Sequence, residues 1–197
     1  MNRRSALAMG LTLAGSALFA RARGAAGESG WITLFDGSNL NNWEAIGNAN
    51  WRMVDGGVVQ ADLGNGFLVS KQEYGDFELK AEFWVDATAN SGVFIRATDP
   101  KQVTAMNAYE VNIYDTRPDP SYGTGAIVDV AKVSPMPKAG NQWNYYEIVA
   151  KGDTFTVTLN GIKTVDGAKD AKLPKGRIAL QYGGGVVKFR KVEIKPL

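Results

Sequence analysis

Apolar and polar residues alternate with a period of two along most of the chain after residue 30, as half-buried β-strands require. In 77–85 (FELKAEFWV), Phe77, Leu79, Ala81, Phe83 and Val85 share one face, and Glu78, Lys80, Glu82 and Trp84 share the other. In 92–97, Val93 and Ile95 alternate with Phe94 and Arg96; in 109–115, Val111 and Ile113 alternate with Glu110, Asn112 and Tyr114. Further strands are predicted at 31–35, 50–54, 57–62, 66–70, 143–150, 153–159, 177–182 and 186–195. No segment sustains a helical period. Asp55-Gly56-Gly57 and Asn160-Gly161 read as hairpin turns of the kind that needs positive φ, the second between TFTVTL and IKTV. Many short strands and 23 glycines predict an all-β fold, a two-sheet antiparallel sandwich forming a single domain over 27–197. The longest stretch without a strand pattern, 116–141, holds Pro118, Pro120, Pro135 and Pro137 and is expected to be a functional loop or a lid.

Residues 1–26 read differently. Arg3 and Arg4 precede an apolar run from Ala6 to Ala20, and small residues follow to Ala26. This is the layout of a secretory signal, and the paired arginines resemble a twin-arginine export signal. The expectation is export to the periplasm or beyond, with the signal removed. The run is too short to span a bilayer as a helix, and without cysteine there is no lipoprotein attachment, so no stable membrane anchor is expected. The leader also accounts for the basic pI. It holds four arginines and no acid; removing those four from 22 basic residues leaves 18 against 20 acidic ones. A slightly acidic mature chain gives no electrostatic support to a nucleic-acid partner.

The chain has no cysteine and no histidine. Disulfides, thiol nucleophiles, Ser-His-Asp chemistry and imidazole metal ligands are therefore excluded. Acid–base work falls to Asp, Glu, Lys or Tyr, and any metal would be an oxygen-ligated divalent cation.

An ordered series of segments resembles one family. GWITLFDGSNLNNWE, WRMVDGGVV, YGDFELKAEFWV, NSGVFIRA, YEVNIYD, GTGAI, QWNYYEIVAKG and GRIALQYGGGVVKFRKVEI together are similar to the 3-keto-disaccharide hydrolase family, formerly DUF1080, over nearly all of 30–197. The resemblance implies a concanavalin A-like sandwich with a concave face, and action on glycosides oxidised at C3 of the sugar. The chain departs from the family after Leu180-Gln181: many members carry a histidine–glycine pair there, and this chain has Tyr182-Gly183.

Alternation places Glu110 and Asn112 on one face and aims Arg96 the same way from a neighbouring strand, so a carboxylate, an amide and a guanidinium are expected to converge. Glu110 is the candidate acid or base, with Tyr182 as an alternative base for elimination; Arg96, a lysine or an oxygen-bound divalent cation is the oxyanion stabiliser; and Asp115 is a second carboxylate that needs a bend to join them. Two carboxylates suit direct hydrolysis. A 3-ketone also permits elimination, in which one base removes the acidified hydrogen at C2, and the residues leave that choice open. Asn90, Asn112, Gln181 and Tyr182 are candidate substrate-binding residues, with Trp84 and Tyr114 as rings for sugar stacking. The expected partner is an oxidised carbohydrate. A non-catalytic, lectin-like sandwich would use the same face.

Overall fold

A computed structural model of the protein describes residues 30–197, and the leader predicted at 1–26 lies outside them. Within the described residues the alternating segments become thirteen strands. In chain order these are β1 (Ile32–Phe35), β2 (Trp43–Gly47), β3 (Arg52–Val54), β4 (Val58–Ala61), β5 (Gly66–Tyr74), β6 (Phe77–Val85) and β7 (Ser91–Ala97). They continue as β8 (Tyr109–Ile113), β9 (Gln142–Lys151), β10 (Thr154–Leu159), β11 (Ile162–Lys169), β12 (Gly176–Tyr182) and β13 (Val187–Pro196). The larger sheet runs β11-β10-β9-β6-β13-β4-β3, with β1 also on β13; the smaller runs β2-β5-β12-β7-β8. All strand pairings within the two sheets are antiparallel, which is the predicted sandwich.

The period-two pattern fixes which residues meet between the sheets. Leu79, Phe83, Tyr146, Ile148 and Phe189 come from the larger sheet, and Leu68, Val93, Ile95, Val111, Ile178 and Leu180 from the smaller; all are buried in one cluster. Burying each large side chain is worth roughly 1.5–3 kcal/mol. The polar partners of the same strands, such as Glu78, Lys80 and Glu82 on β6, stay half-exposed on the outer surface. The Asn160-Gly161 turn forms as expected, with φ of 51° and 80°. β2 escapes the sequence pattern because it is an edge strand with one buried anchor. That anchor is Trp43, whose indole Nε1–H donates to Leu34 O at 2.8 Å.

The proline-rich stretch 116–141 is a pinned strap rather than a lid. Asn112 N donates to Ala126 O and Gly125 N to Asn112 O, each at 3.0 Å, and Val128 N donates to Glu110 O at 3.0 Å. These bonds lay 125–128 alongside β8, beyond the last strand of the smaller sheet. Asp115 fastens the other end. Its carboxylate accepts from Thr124 Oγ1 (2.6 Å), from Ala139 N (2.9 Å) and from Gly140 N (2.9 Å). Asp115→Asn replaces one acceptor oxygen by a donor and is expected to lower stability by about 1–2 kcal/mol in urea denaturation. A wild-type midpoint would show that the strap does not depend on this carboxylate.

Candidate active site

The outer face of the smaller sheet is built from two rows of aligned residues. Glu44, Val69, Ala179, Phe94 and Glu110 form one row across β2-β5-β12-β7-β8. Ile46, Phe67, Gln181, Gly92 and Asn112 form the next, since Phe67 faces both Ile46 and Gln181, and Gly92 faces Asn112. The loop between β7 and β8 roofs the first row: Val103 and Ala108 join Val69, Phe94, Ala97 and Ala179 in a second apolar cluster. Ile46 and Phe67 pack at its margin, only partly buried. Glu110 ends the roofed row at β8, and the second row is partly exposed only at Gln181, Phe67 and Ile46.

Glu110 is 8% exposed, and no hydrogen bond to its carboxylate forms among the described residues. Burial pushes its pKa up to about 7; the Arg117 charge pulls against that shift and the Asp129 charge adds to it. A carboxyl poised between acid and base at neutral pH can take or give a proton. Beside it, Gly92 leaves space that a side chain would fill: a Cβ there would stand 3.4 Å from Glu110 Cγ and 3.3 Å from Phe94 Cε2.

Two amides complete this corner. Asn112 is fully buried, and its Nδ2 donates to Tyr122 O at 2.7 Å, which fixes the amide and turns Oδ1 away from that bond. Asn112 Oδ1 and Gln181 Oε1 are both buried without a hydrogen-bond partner. Unpaired buried acceptors are costly, and both lie in the row beside that of Glu110. Asn90 stands at the head of β7. Its backbone pairs with Gly183 and Gly184, and its side chain lies over Gly183, where a Cβ would come within 3.0 Å of Nδ2. Glu110, Asn112, Gln181 and Asn90 are thus brought to one face.

The other predicted residues go elsewhere, each for a physical reason. Arg96 has φ of 54°, and β7 carries one more residue than β12 between the Phe94↔Ala179 and Ala97↔Arg177 pairs. This bulge reverses the alternation and turns the side chain off the outer face. The guanidinium is buried, with Nε on Gly75 O (3.0 Å), Nη1 on Gly152 O (2.8 Å) and Leu173 O (3.1 Å), and Nη2 on Asp76 Oδ1 (3.1 Å). Asp115 is committed to the strap and does not form a pair with Glu110. Tyr182 points into the core, edge-on to Trp51 at 6.4 Å, with its hydroxyl donating to Gly185 O at 3.1 Å. Trp84 lies on the outside of the other sheet, opposite Trp143 and beneath Lys188 Nζ at 4.6 Å. Tyr114 follows the end of β8, half-buried, where its N–H donates to Thr124 Oγ1 at 2.9 Å and alternation no longer assigns a face.

The structure adds Arg117, Asp129, Gly92 and Phe67. Phe67 was readable from its alternation with Leu68. Arg117 and Asp129 come from the strap, where no period applies. Among the described residues no three Asp or Glu side chains gather in an arrangement that would hold a metal ion. No helix among them is long and apolar enough to cross a membrane. Volume alone does not mark the site: a cleft of about 460 Å³ between Ile32–Leu34 and Ser70–Tyr74 holds none of these four residues.

Residues 30–195 match the family model described as a 3-keto-α-glucoside-1,2-lyase-like domain. A 3-keto-disaccharide hydrolase of Bacteroides thetaiotaomicron is 26% identical over 152 residues, covering 61% of this chain and 52% of that protein. The chain therefore spans about half the length of this curated relative. A crystal structure from Parabacteroides distasonis, assigned as a glycosyl hydrolase, superposes with a TM-score of 0.69 at 30% identity, covering 85% of this chain and 99% of that one. The Bacillus licheniformis β-glucanase shares the fold at 16% identity, with a TM-score of 0.61 and coverage of 87% and 100%.

Proposed function

Because the chain belongs to the 3-keto-α-glucoside-1,2-lyase-like family, we propose that its mature, exported form cleaves the C1–O bond of a glycoside carrying a ketone at C3, with Glu110 as the base. The observation that carries this reading is a single buried carboxyl with a pKa near 7. Asp115, the second carboxylate the sequence offered, is engaged elsewhere. That arrangement suits elimination better than a mechanism needing two cooperating carboxylates.

The ketone acidifies the hydrogen at C2. Glu110 takes it as a proton, and the C2–H electron pair becomes the enolate. That pair then forms the C1=C2 bond as the aglycone leaves with the C1–O electrons. Arg117, whose charge already reaches Glu110, supplies positive potential for the enolate oxygen. Asn112 Oδ1 and Gln181 Oε1 accept hydrogen bonds from sugar hydroxyls. Water then adds across C1=C2, returning hydrogen to C2 and placing hydroxyl on C1, so elimination followed by hydration yields net hydrolysis. This sequence reconciles a lyase-like family with a relative named a hydrolase.

The test is turnover of a 3-keto-α-glucoside in deuterated water. Released 3-keto-glucose is expected to carry deuterium at C2 above the level set by uncatalysed enolisation, and the unoxidised parent glycoside is expected to stay intact. Release with no excess deuterium would replace elimination by direct hydrolysis. Sugar binding with no release would make the domain a lectin.

A base with this pKa also predicts the pH profile. kcat/KM is expected to rise with pH and level off above about 7. A profile already flat from pH 5 would remove Glu110 as the base. Export is checked by mass spectrometry: protein recovered from the native cell envelope should begin between about residues 22 and 30, as cleavage after small residues requires. An intact Met1 there would exclude cleavage.

A further inference from the structure

Net hydrolysis by elimination and hydration moves protons at two bonded carbons, and Glu110 serves only one of them. It takes hydrogen from C2 and later returns it there. The water that adds at C1 must lose a proton of its own, at the moment when Glu110 is giving one back. A second base close to Glu110 would take that proton.

The strap carries a carboxylate to this position. Val128 N donates to Glu110 O at 3.0 Å and Ile127 bridges to Val111, so 127–128 run alongside the strand that bears Glu110. The chain then turns sharply: Val130 N at 3.1 Å and Ala131 N at 2.8 Å both donate to Ile127 O. Asp129 stands in that turn with φ of 59°, a left-handed conformation that Asp tolerates better than most residues. Asp129 is exposed, and its carboxylate makes no hydrogen bond or ion pair among the described residues. A cleft of about 270 Å³ opens beside it, lined in part by Ala108 and Tyr109, the two residues that precede Glu110. The Asp129 charge also acts on Glu110. Other carboxylates are engaged or distant. Asp115 is tied to Thr124, Ala139 and Gly140. Asp119 accepts from Ser121 N at 3.0 Å and Ser121 Oγ at 2.7 Å. Exposed Glu44 shares the outer face, but β2 lies four strands from β8, about 19 Å at the usual spacing.

We propose that Asp129 is the base of the hydration step, taking a proton from the water that adds at C1 while Glu110 returns its proton to C2. The proposal rests on the elimination reading above. The water oxygen forms the bond to C1, and the C1=C2 electron pair forms the new C2–H bond with the Glu110 proton. Asp129 passes the water's proton to solvent, where it replaces the one that the departing aglycone took up.

The experiment separates the two half-reactions in Asp129→Asn and Asp129→Gly. Both replacements suit the left-handed turn and lack the base. At about pH 8, above the Glu110 pKa of about 7, aglycone release from a 3-keto-α-glucoside is expected to stay within a few-fold of wild type. The unsaturated 2-hydroxy-3-keto-glycal is expected to accumulate, read by its conjugated-enone absorbance. Hydration of the same glycal supplied directly is expected to fall at least about 10²-fold. Release and hydration falling together, or hydration unchanged, overturns the role of Asp129 and leaves elimination at Glu110 standing. Glycal hydration by the wild type and not by the variants, with no aglycone release by any of them, keeps Asp129 as the hydrating base and overturns elimination instead. A wild type inert towards glycoside and glycal alike overturns both.

Discussion

Glu110→Gln is expected to lose on the order of 10²-fold or more in kcat against a 3-keto-glucoside while becoming more stable than the wild type at alkaline pH. The two effects have one cause. Glutamine keeps the shape of the side chain but has no proton to exchange and no charge to bury. The stability effect has a definite sign. Glu110 has its pKa raised from 4.5 to about 7 in the folded protein, chiefly by burial. The folded state therefore holds the proton more tightly than the unfolded chain. Its contribution to stability is fully present below about pH 4.5 and is lost as pH rises through about 7. At pH 8 the wild type carries an ionised, buried carboxylate, a penalty of up to roughly 3 kcal/mol at 1.36 kcal/mol per pKa unit. The variant escapes that penalty at pH 8 and gains little at pH 4. Urea titrations at both values, run beside the activity assay, separate a catalytic carboxyl from a structural one. A variant that loses activity and stability together at pH 8 would mean that Glu110 holds the sheet edge rather than reacting.

The sandwich was legible because its information is local and repeated. Each strand from β6 to β10 carries its own alternation, and Asn160-Gly161 supplies the backbone conformation its hairpin needs. The same rule correctly paired Glu110 with Asn112 on the outer face. It failed where geometry departs from period two. The bulge at Arg96 inserts one residue between two registered pairs, so counting along the strand assigns that side chain to the wrong side. Beyond Ile113 the strand ends and counting says nothing, which is why Asp115 and Tyr114 fell outside the constellation and Arg117 was missed. Trp84 was placed correctly on a polar face, but alternation cannot say which of two sheets a strand joins. Tyr182 illustrates the remaining gap. Two residues after Leu180 it shares that residue's inward face, and the family position rather than the alternation made it a site candidate; in the structure it meets Trp51.

Arg96→Met carries the second large effect, on stability. The methionine matches much of the stem but removes every donor of the guanidinium. Three backbone carbonyls, Gly75 O, Gly152 O and Leu173 O, lose their side-chain donor together with Asp76 Oδ1. Asp76 keeps one bond, from Gly152 N at 2.9 Å. These acceptors belong to three separate loops, after β5, after β9 and before β12, so one side chain ties together connections far apart in the chain. Its charge also lies 5.2 Å from the Phe155 ring centroid, an added attraction lost with it. Removing one member of such a buried, hydrogen-bonded ionic group costs about 3–5 kcal/mol. Asp76 is partly exposed, with 41% of its side-chain surface accessible, so water relieves part of the loss and the lower end of that range applies. Arg96→Lys keeps the charge without the planar fork and is expected to recover only part of the stability. Because the guanidinium points away from Glu110, kcat measured on the folded fraction is expected to stay within a few-fold of wild type. The converse pattern, wild-type stability with activity lost, would return Arg96 to the reaction and make the bulge a means of aiming it.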